Sequence, residues 1–301
     1  MSEAASAGDG PTGTLYVVAT PIGNLGDITF RAVDVLRTVA RIAAEDTRLT
    51  RRLLDRYEIE TPLTSYHAHS GPGRLEALLE GLRAGHDLAL VTDAGTPVVS
   101  DPGADLVMAW ASQGGTVVPI PGASAVLAAV AATGLAGPRW AFEGFLPRSG
   151  RERKARLAAI AREGRGAVLF EGPGRVAATL RDLAAACGAE RPGAVARELT
   201  KRHETITHGT LGALAASAGE GAIPARGEFV LVVGMATAGP DGLVPGPPDE
   251  TGSDAVDPLA AARAAVERLV SEGVARGDAA RRVAGTSGIP RRQLYGVGDG
   301  S

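Results

Sequence analysis

The sequence predicts an α/β protein: a doubly wound, mostly parallel sheet, then a second domain on a mixed sheet, then a small C-terminal helical module. Three observations carry that expectation. Short aliphatic runs alternate with helical patterns from Thr14 to about Gly137, a second set ends in consecutive strand-like runs from Ala194 to Val233 without intervening helices, and an acidic Pro/Gly stretch precedes a last helical set. A length of 301 residues accommodates two cores of ordinary size.

Leu15–Ala19, Arg41–Ala44, Asp87–Val91 and Thr116–Ile120 are brief, aliphatic and closed by Thr, Asp, Gly or Pro, so each reads as a buried strand. After Asp27, the residues Ile28, Ala32, Val35, Leu36 and Val39 recur at helical spacing. Pro72 and Pro102 suit first helical positions. Pro138–Gly150 breaks the rhythm. A charged helix over 151–163 follows, then a strand at Ala167–Phe170, an amphipathic helix at Pro173–Ala186, and strands at Ala194–Leu199, Thr205–His208 and Glu228–Val233. Residues 236–257 hold four prolines and five acids (Asp241, Asp249, Glu250, Asp254, Asp257) without a base, a composition that predicts a disordered linker. Helices are expected at Pro258–Ser271, with Leu259, Ala262, Val266 and Leu269 on one face, and around Asp278–Ala284 and Pro290–Tyr295. The domains expected are therefore 14–137, 138–235 and 258–301, with 1–13 disordered and 236–257 a linker.

Composition excludes several classes. Hydrophobic residues at 45% and charged ones at 22% describe a globular chain. The net charge of −3 gives no global field for nucleic acid. The single cysteine, Cys187, rules out an intrachain disulfide and a multi-thiolate metal site. His67 and His69 would share one face of a strand, but no third ligand stands at the right spacing, so no metal is expected. The gentle apolar run Ala123–Ala136 is too short to cross a bilayer, and residues 1–13 lack a basic or apolar targeting pattern. No membrane role and a cytoplasmic location are expected.

Ligands of open α/β sheets sit beyond the carboxyl ends of the strands. The strand-end loops here read Thr20–Asp27, Glu45–Arg48, Thr92–Pro97 and Pro121–Ser124, rich in glycine and polar groups. Neither the Gly-x-Gly-x-x-Gly fingerprint nor a phosphate-cradling Gly-x-x-x-x-Gly-Lys-Ser/Thr is present. Carboxylates (Asp93, Asp101) and free backbone groups instead suit a ligand carrying hydroxyls, an amine and a positive centre. S-adenosylmethionine has all three.

The runs ATPIGNLGDITFRA (19–32), AEDTR (44–48), DAGTPVVSDPG (93–103), PIPGAS (119–124), EGFLPR (143–148), ARELTKRHE (196–204) and GEFVLVV (227–233) together resemble the RsmI family of 16S rRNA (cytidine-2′-O)-methyltransferases. That family is a branch of the tetrapyrrole methylase superfamily. The resemblance spans about 14–235 and resumes at Arg291–Tyr295. It implies two α/β domains with S-adenosylmethionine in the cleft between them, a homodimer, and small-subunit rRNA as partner. A small-molecule methylase on the same fold and a non-catalytic cofactor or RNA binder are the rivals. The resemblance puts Leu25, Asp93, Thr96, Gly122 and Ser124 at the cofactor, although Asp93 would equally cap its turn and Ser124 its helix. Three motifs depart from the family: Phe170-Glu171-Gly172-Pro173-Gly174-Arg175 lacks a Ser and a His, Tyr66–Ser70 lacks an Asn, and Pro121-Gly122-Ala123 lacks the second Pro.

The charged cluster Arg197–Glu204 follows a strand, and a ribose hydroxyl must be oriented and relieved of its proton. Lys201 and Glu198 are the candidate catalytic residues. RNA contact is expected from local basic patches. One comprises Arg148, Arg151, Arg153, Lys154 and Arg156 against Glu152 alone, and the other is the tail with Arg276, Arg281, Arg282, Arg291 and Arg292.

Overall fold

The structure is a computed structural model that describes residues 13–236, 258–271, 273–287 and 289–294. They fall into two compact units, one within 1–246 and one within 247–301.

In the first unit β1 (Thr14–Val18), β2 (Arg41–Ala44), β3 (Leu63–Ser65), β4 (Leu88–Val91) and β5 (Thr116–Ile120) form an all-parallel sheet in the order β3-β2-β4-β1-β5. Helices cover both faces, as parallel sheets require. One core joins Val18, Ile42, Ala44 and Val91 to α1 (Phe30–Thr38) and α2 (Thr47–Arg56). The other joins Leu15, Ala43 and Leu90 to α3 (Pro72–Arg83) and α4 (Ala104–Ser112).

The second sheet is mixed. It contains β6 (Trp140–Phe145), β7 (Gly166–Glu171), β8 (Pro192–Arg197), β9 (Thr205–Thr210) and β10 (Phe229–Val233), ordered β6-β7-β10-β8-β9. β6 and β7 pair in parallel and every other pair is antiparallel. One face packs on α6 (Gly150–Glu163), α7 (Val176–Cys187) and α8 (Leu211–Gly219). The other face, through Val168, Ala194, Ala196, Val230 and Val232, packs on Val126 and Ala129 of α5 (Ala125–Thr133) and on Ile22. Helix α5 and the loop after β1 thus pack on the second sheet, and the boundary expected near 137 lies inside a single compact unit.

Several expectations are corrected. The first helix begins at Phe30, capped by the Thr29 hydroxyl accepting from Ala32 N, because Leu25–Asp27 is a separate 3-10 turn. Pro72 opens α3 as expected, but Pro102 does not open α4. Gly103 (φ 116°) turns the chain there, at a point where a Cβ would lie 2.5 Å from Leu90 Cδ2. The region 138–150 is not merely a break, since it contains β6, bulged between Phe142 and Gly144. The short strand β3 was not expected, and α8 separates β9 from β10 where no intervening helix was expected, although Leu211, Leu214, Ala215 and Ala218 recur at helical spacing. His67 and His69 lie in a turn beyond β3, where His67 N donates to Ser70 Oγ at 2.9 Å, so they are not strand neighbours.

In the second unit α9 (Pro258–Ser271), α10 (Arg276–Ser287) and α11 (Arg291–Leu294) enclose Ala262, Val266, Ala279, Ala280, Val283 and Leu294. The apolar face of α9 is thus covered by its own module. The expected disordered segments, 1–13 and 236–257, lie outside the described residues except for Gly13 and Ala236. Among the described residues no helix is long and apolar enough to cross a membrane.

Candidate active site

The loops at the carboxyl edge of the parallel sheet are stitched together by their own backbones. Thr20 N donates to Gly95 O at 2.8 Å and Gly95 N to Thr20 O at 3.0 Å, while Thr20 Oγ1 donates to Thr92 O at 3.1 Å. A second seam joins the two sheets. Asn24 N donates to Thr200 Oγ1 at 3.1 Å, and a Cβ at Gly23 would lie 2.4 Å from Lys201 Cγ, so only glycine lets the lysine stem cross there.

These loops and the near ends of β7, β8 and β10 enclose a cavity of about 290 Å³. That is close to the lower end of small-molecule sites, roughly 300–1,000 Å³. Ile22, Gly95, Thr96 and Ser124 line one side, and Phe145, Phe170, Leu199 and Phe229 line the other. Its ionisable lining residues are Asp101, Glu171 and Glu228, with no basic side chain among the described ones. A largely apolar wall whose ionisable lining is acidic favours a cationic ligand to the extent that a carboxylate is left without a cation, which among these holds for Asp101.

Each carboxylate has a different environment. Glu171 is fully buried and saturated: Oε1 accepts from Gly172 N (2.8 Å) and Arg175 Nε (2.6 Å), and Oε2 from Thr179 Oγ1 (2.6 Å). Glu228 is ion-paired with Lys201 Nζ at 2.9 Å. Asp101 accepts one hydrogen bond among the described residues, from Thr92 Oγ1 at 3.2 Å. Burial, reinforced by the charges of Glu45 and Asp93 and opposed by that bond, pushes its carboxyl up to about 6. The loop carrying Asp101 holds Val98 (φ 74°) and Ser100 (φ 66°) in the left-handed region, a strain of about 1–3 kcal/mol each that tends to accompany functional sites.

Two of the five residues expected at the cofactor, Thr96 and Ser124, line the cavity. Ser124 Oγ also caps α5, accepting from Leu127 N at 3.4 Å. Leu25, Asp93 and Gly122 sit in the same loops without lining it. Asp93 Oδ1 accepts from Asp46 N at 2.9 Å, a turn-tying role, and Gly122 packs so closely that a Cβ would lie 3.1 Å from Ala19 Cβ. Leu25 is partly exposed, its carbonyl accepting from Tyr57 OH at 2.6 Å.

Lys201 and Glu198 stand just behind the lining residues Leu199 and Glu228. Lys201 Nζ lies 3.1 Å from Glu198 Oε1, which also accepts from Glu228 N at 2.9 Å. Burial would lower the Lys201 ammonium, but Glu228 and Glu198 outweigh it and hold its pKa above the ordinary value. Glu198 is held below the usual carboxylate value by the Glu228 N–H and then by Lys201. A lysine kept protonated and a carboxylate kept ionised orient groups better than they remove protons. Glu198 (φ 52°) and Thr200 (φ 65°) are left-handed as well.

Of the basic residues expected to face RNA, Arg148, Arg151 and Lys154 are exposed. Arg153 is not. It is 8% exposed and bonded to Asp182 Oδ2, Thr179 Oγ1 and Pro147 O, each at 2.9 Å, so it braces the Glu171 network instead. Arg156 pairs with Glu143 at 2.7 Å. In the second unit Arg282, Arg291 and Arg292 are exposed, and Arg281 pairs with Asp278 at 3.1 Å. Glu228 and Gly227 escaped sequence reasoning, although both belong to the GEFVLVV run. A Cβ at Gly227 (φ 98°) would lie 2.6 Å from the Glu198 carboxyl carbon.

Residues 14–215 match the family of Tetrapyrrole (Corrin/Porphyrin) Methylases. The chain is 47% identical over 283 residues to the ribosomal RNA small subunit methyltransferase I of Synechocystis sp., covering 94% of this chain and 96% of that protein. It is 40% identical to the Bacillus subtilis protein of the same name, covering 96% and 94%. Among solved structures it is similar to a cobalt precorrin-4 methyltransferase (TM-score 0.57, 18% identity, 73% of this chain and 94% of that one). It is also similar to the Thermus thermophilus uroporphyrin-III C-methyl transferase complexed with S-adenosylhomocysteine (TM-score 0.54, 20% identity, 74% and 97%). At these identities the structural likeness concerns the fold.

Proposed function

The chain belongs to the tetrapyrrole methylase family and, within it, to the ribosomal RNA small subunit methyltransferase I proteins, and from that premise we propose that it transfers a methyl group from S-adenosylmethionine to the ribose 2′-hydroxyl of a cytidine in 16S rRNA. The observation that carries the cofactor side is the cavity whose ionisable lining is acidic, at the carboxyl edge of a parallel sheet. Its residues fit the group: the carboxylate of Asp101, which has no cationic partner among the described residues, for the sulfonium, hydroxyls of Thr96 and Ser124, and the Cβ-free surface of Gly95. S-adenosylmethionine, when bound, supplies a methyl already activated by its sulfonium, so alignment accounts for much of the catalysis.

On this reading Leu25, Asp93, Thr96, Gly122 and Ser124 form or shape the cofactor loops. Lys201, clamped by Glu198 and Glu228, orients the incoming ribose and fixes the seam between the sheets. Residues 14–137 carry the cofactor half, 138–235 the facing half, and 258–301 an RNA-gripping module. Arg148, Arg151, Lys154, Arg281, Arg282, Arg291 and Arg292 contact phosphates or unpaired bases, as planar guanidinium groups do well. A cytoplasmic homodimer is part of the proposal.

The test is to map ribose methylation on small-subunit RNA from a deletion strain, before and after complementation. Loss and return of one 2′-O-methylcytidine is expected. An unchanged map, with tritiated methyl appearing in a small molecule instead, would overturn the proposal.

A further inference from the structure

With Lys201 held protonated and Glu198 held ionised, the hydroxyl proton needs another acceptor. The cavity lining offers three. Glu171 has both oxygens bonded to Arg175, Thr179 and Gly172 N, and Glu228 is ion-paired with Lys201 with most of its side chain in solvent. Asp101 has neither a cationic partner nor a second hydrogen bond among the described residues, and it shares the cavity with Thr96 and Ser124.

We propose that Asp101 is the general base, receiving the 2′-hydroxyl proton as the ribose oxygen attacks. This rests on the ribose methyl-transfer reading. The oxygen forms its bond to the methyl carbon while the carbon–sulfur bond breaks, its electron pair staying on sulfur. The proton passes to an Asp101 oxygen and then to solvent, so the cationic donor leaves as a neutral thioether.

The surroundings suit the task. A useful base has a proton affinity nearer the working pH than an ordinary aspartate has. Burial supplies that here, and the facing charges reinforce it: Glu45 from the end of β2, itself near His67, and Asp93 from the turn after β4. Across the cavity Glu171 is paired with Arg175 and Glu228 with Lys201, so no unpaired cation among the lining residues opposes the effect. Thr92 holds the carboxylate from the side of β4. Val98 and Ser100 are left-handed, and Ser100 Oγ lies 3.2 Å from where a Gly144 Cβ would be, so the loop runs close against β6.

The test uses the full chain, with small ribosomal subunits from a deletion strain as substrate. Asp101→Asn should lower the single-turnover rate by about a hundredfold or more, leave S-adenosylhomocysteine affinity within about threefold, and abolish the acid limb of the pH–rate profile. Thr92→Val removes the bond that lowers the Asp101 pKa, so it should move that limb to higher pH, independently of whether the Asn variant folds. A rate loss below about threefold, an affinity loss that matches the rate loss, or an acid limb unmoved in Thr92→Val would overturn the assignment. If the wild-type protein methylates something other than a ribose hydroxyl, the underlying reading falls, and the mapping of the modified atom distinguishes that case.

Discussion

Gly95 is the position at which cavity and backbone are most tightly linked. Its φ of +82° is one that L side chains rarely adopt, and both its N–H and its carbonyl are bonded to Thr20, so the angle cannot relax without losing two hydrogen bonds. A Cβ there would meet Ile22 Cγ2 at 3.5 Å and Ala123 O at 3.9 Å, which is ordinary contact. Gly95→Ala therefore carries mainly backbone strain, about 1–2 kcal/mol. In a compact unit of this size that lowers the melting temperature by roughly 2–8 °C. Gly95→Val adds two methyl groups past Cβ, beside the lining residue Ile22, with an overpacking cost of about 1–3 kcal/mol against any bound ligand. S-adenosylhomocysteine should bind ten- to a hundredfold more weakly, at about 1.4 kcal/mol per decade. Titration calorimetry on variants shown to be folded by circular dichroism measures this. A folded Val variant that binds within about twofold of wild type, or an Ala variant weakened as much as Val, would refute the placement of the ligand.

Four further outcomes are expected. Lys201→Met should lower turnover at saturating cofactor by about tenfold or more and leave S-adenosylhomocysteine affinity nearly intact; a change within about twofold, ~0.4 kcal/mol, removes Lys201 from the reaction. Glu171→Gln puts an amide where Arg175 and Thr179 require acceptors, so the urea midpoint should fall by an amount equivalent to about 1–3 kcal/mol, and an unchanged midpoint would contradict the network's role. Because the Asp101 carboxyl titrates higher in the folded chain (about 6) than its ordinary 3.8, ionising it costs stability; the cost is absent below 3.8, grows between 3.8 and 6, and is complete above 6. Asp101→Asn should therefore melt roughly 2–4 °C above wild type at pH 8, for about 1 kcal/mol after solvent screening of a half-buried group, and show no gain near pH 3.5; equal gains at both pH values would contradict it. Truncation near residue 240 should spare cofactor affinity and flatten the salt dependence of RNA binding by about one unit of slope for each phosphate no longer gripped, whereas equal slopes with loss of a dimer by light scattering would defeat the RNA-module reading.

Much of the architecture was legible because the parallel sheet announces itself locally. Strands of such a sheet are short aliphatic runs, and the central strand Arg41–Ala44, buried over its last three residues, and the edge strand Thr116–Ile120 both show their observed limits in the sequence. Helix Pro258–Ser271 was equally clear from its single apolar face. β3, with three residues, and β6, interrupted by a bulge at Gly144, carry too little periodicity to be read without their neighbours. Pro102 failed as a helix start because the decisive contact, Gly103 against Leu90, joins residues far apart in sequence.

The site divides in the same way. The strand-end loops, with Thr96 and Ser124, follow from chain order, since the carboxyl ends of parallel strands share one edge whatever the helices do. Which carboxylates face the cavity, and in what state, depends on partners from elsewhere in the chain. Glu171 is quenched by Arg175 and Thr179, Lys201 is kept protonated by Glu228, Arg153 turns inward to Asp182, and Asp101 is left with a single neutral donor. The sequence by itself determined most of the elements, the ligand-binding edge and the family, because these rest on local patterning and on contiguous motifs. Only the tertiary structure decided which charges are neutralised, because burial and ion pairing are set by side chains brought together across the two sheets.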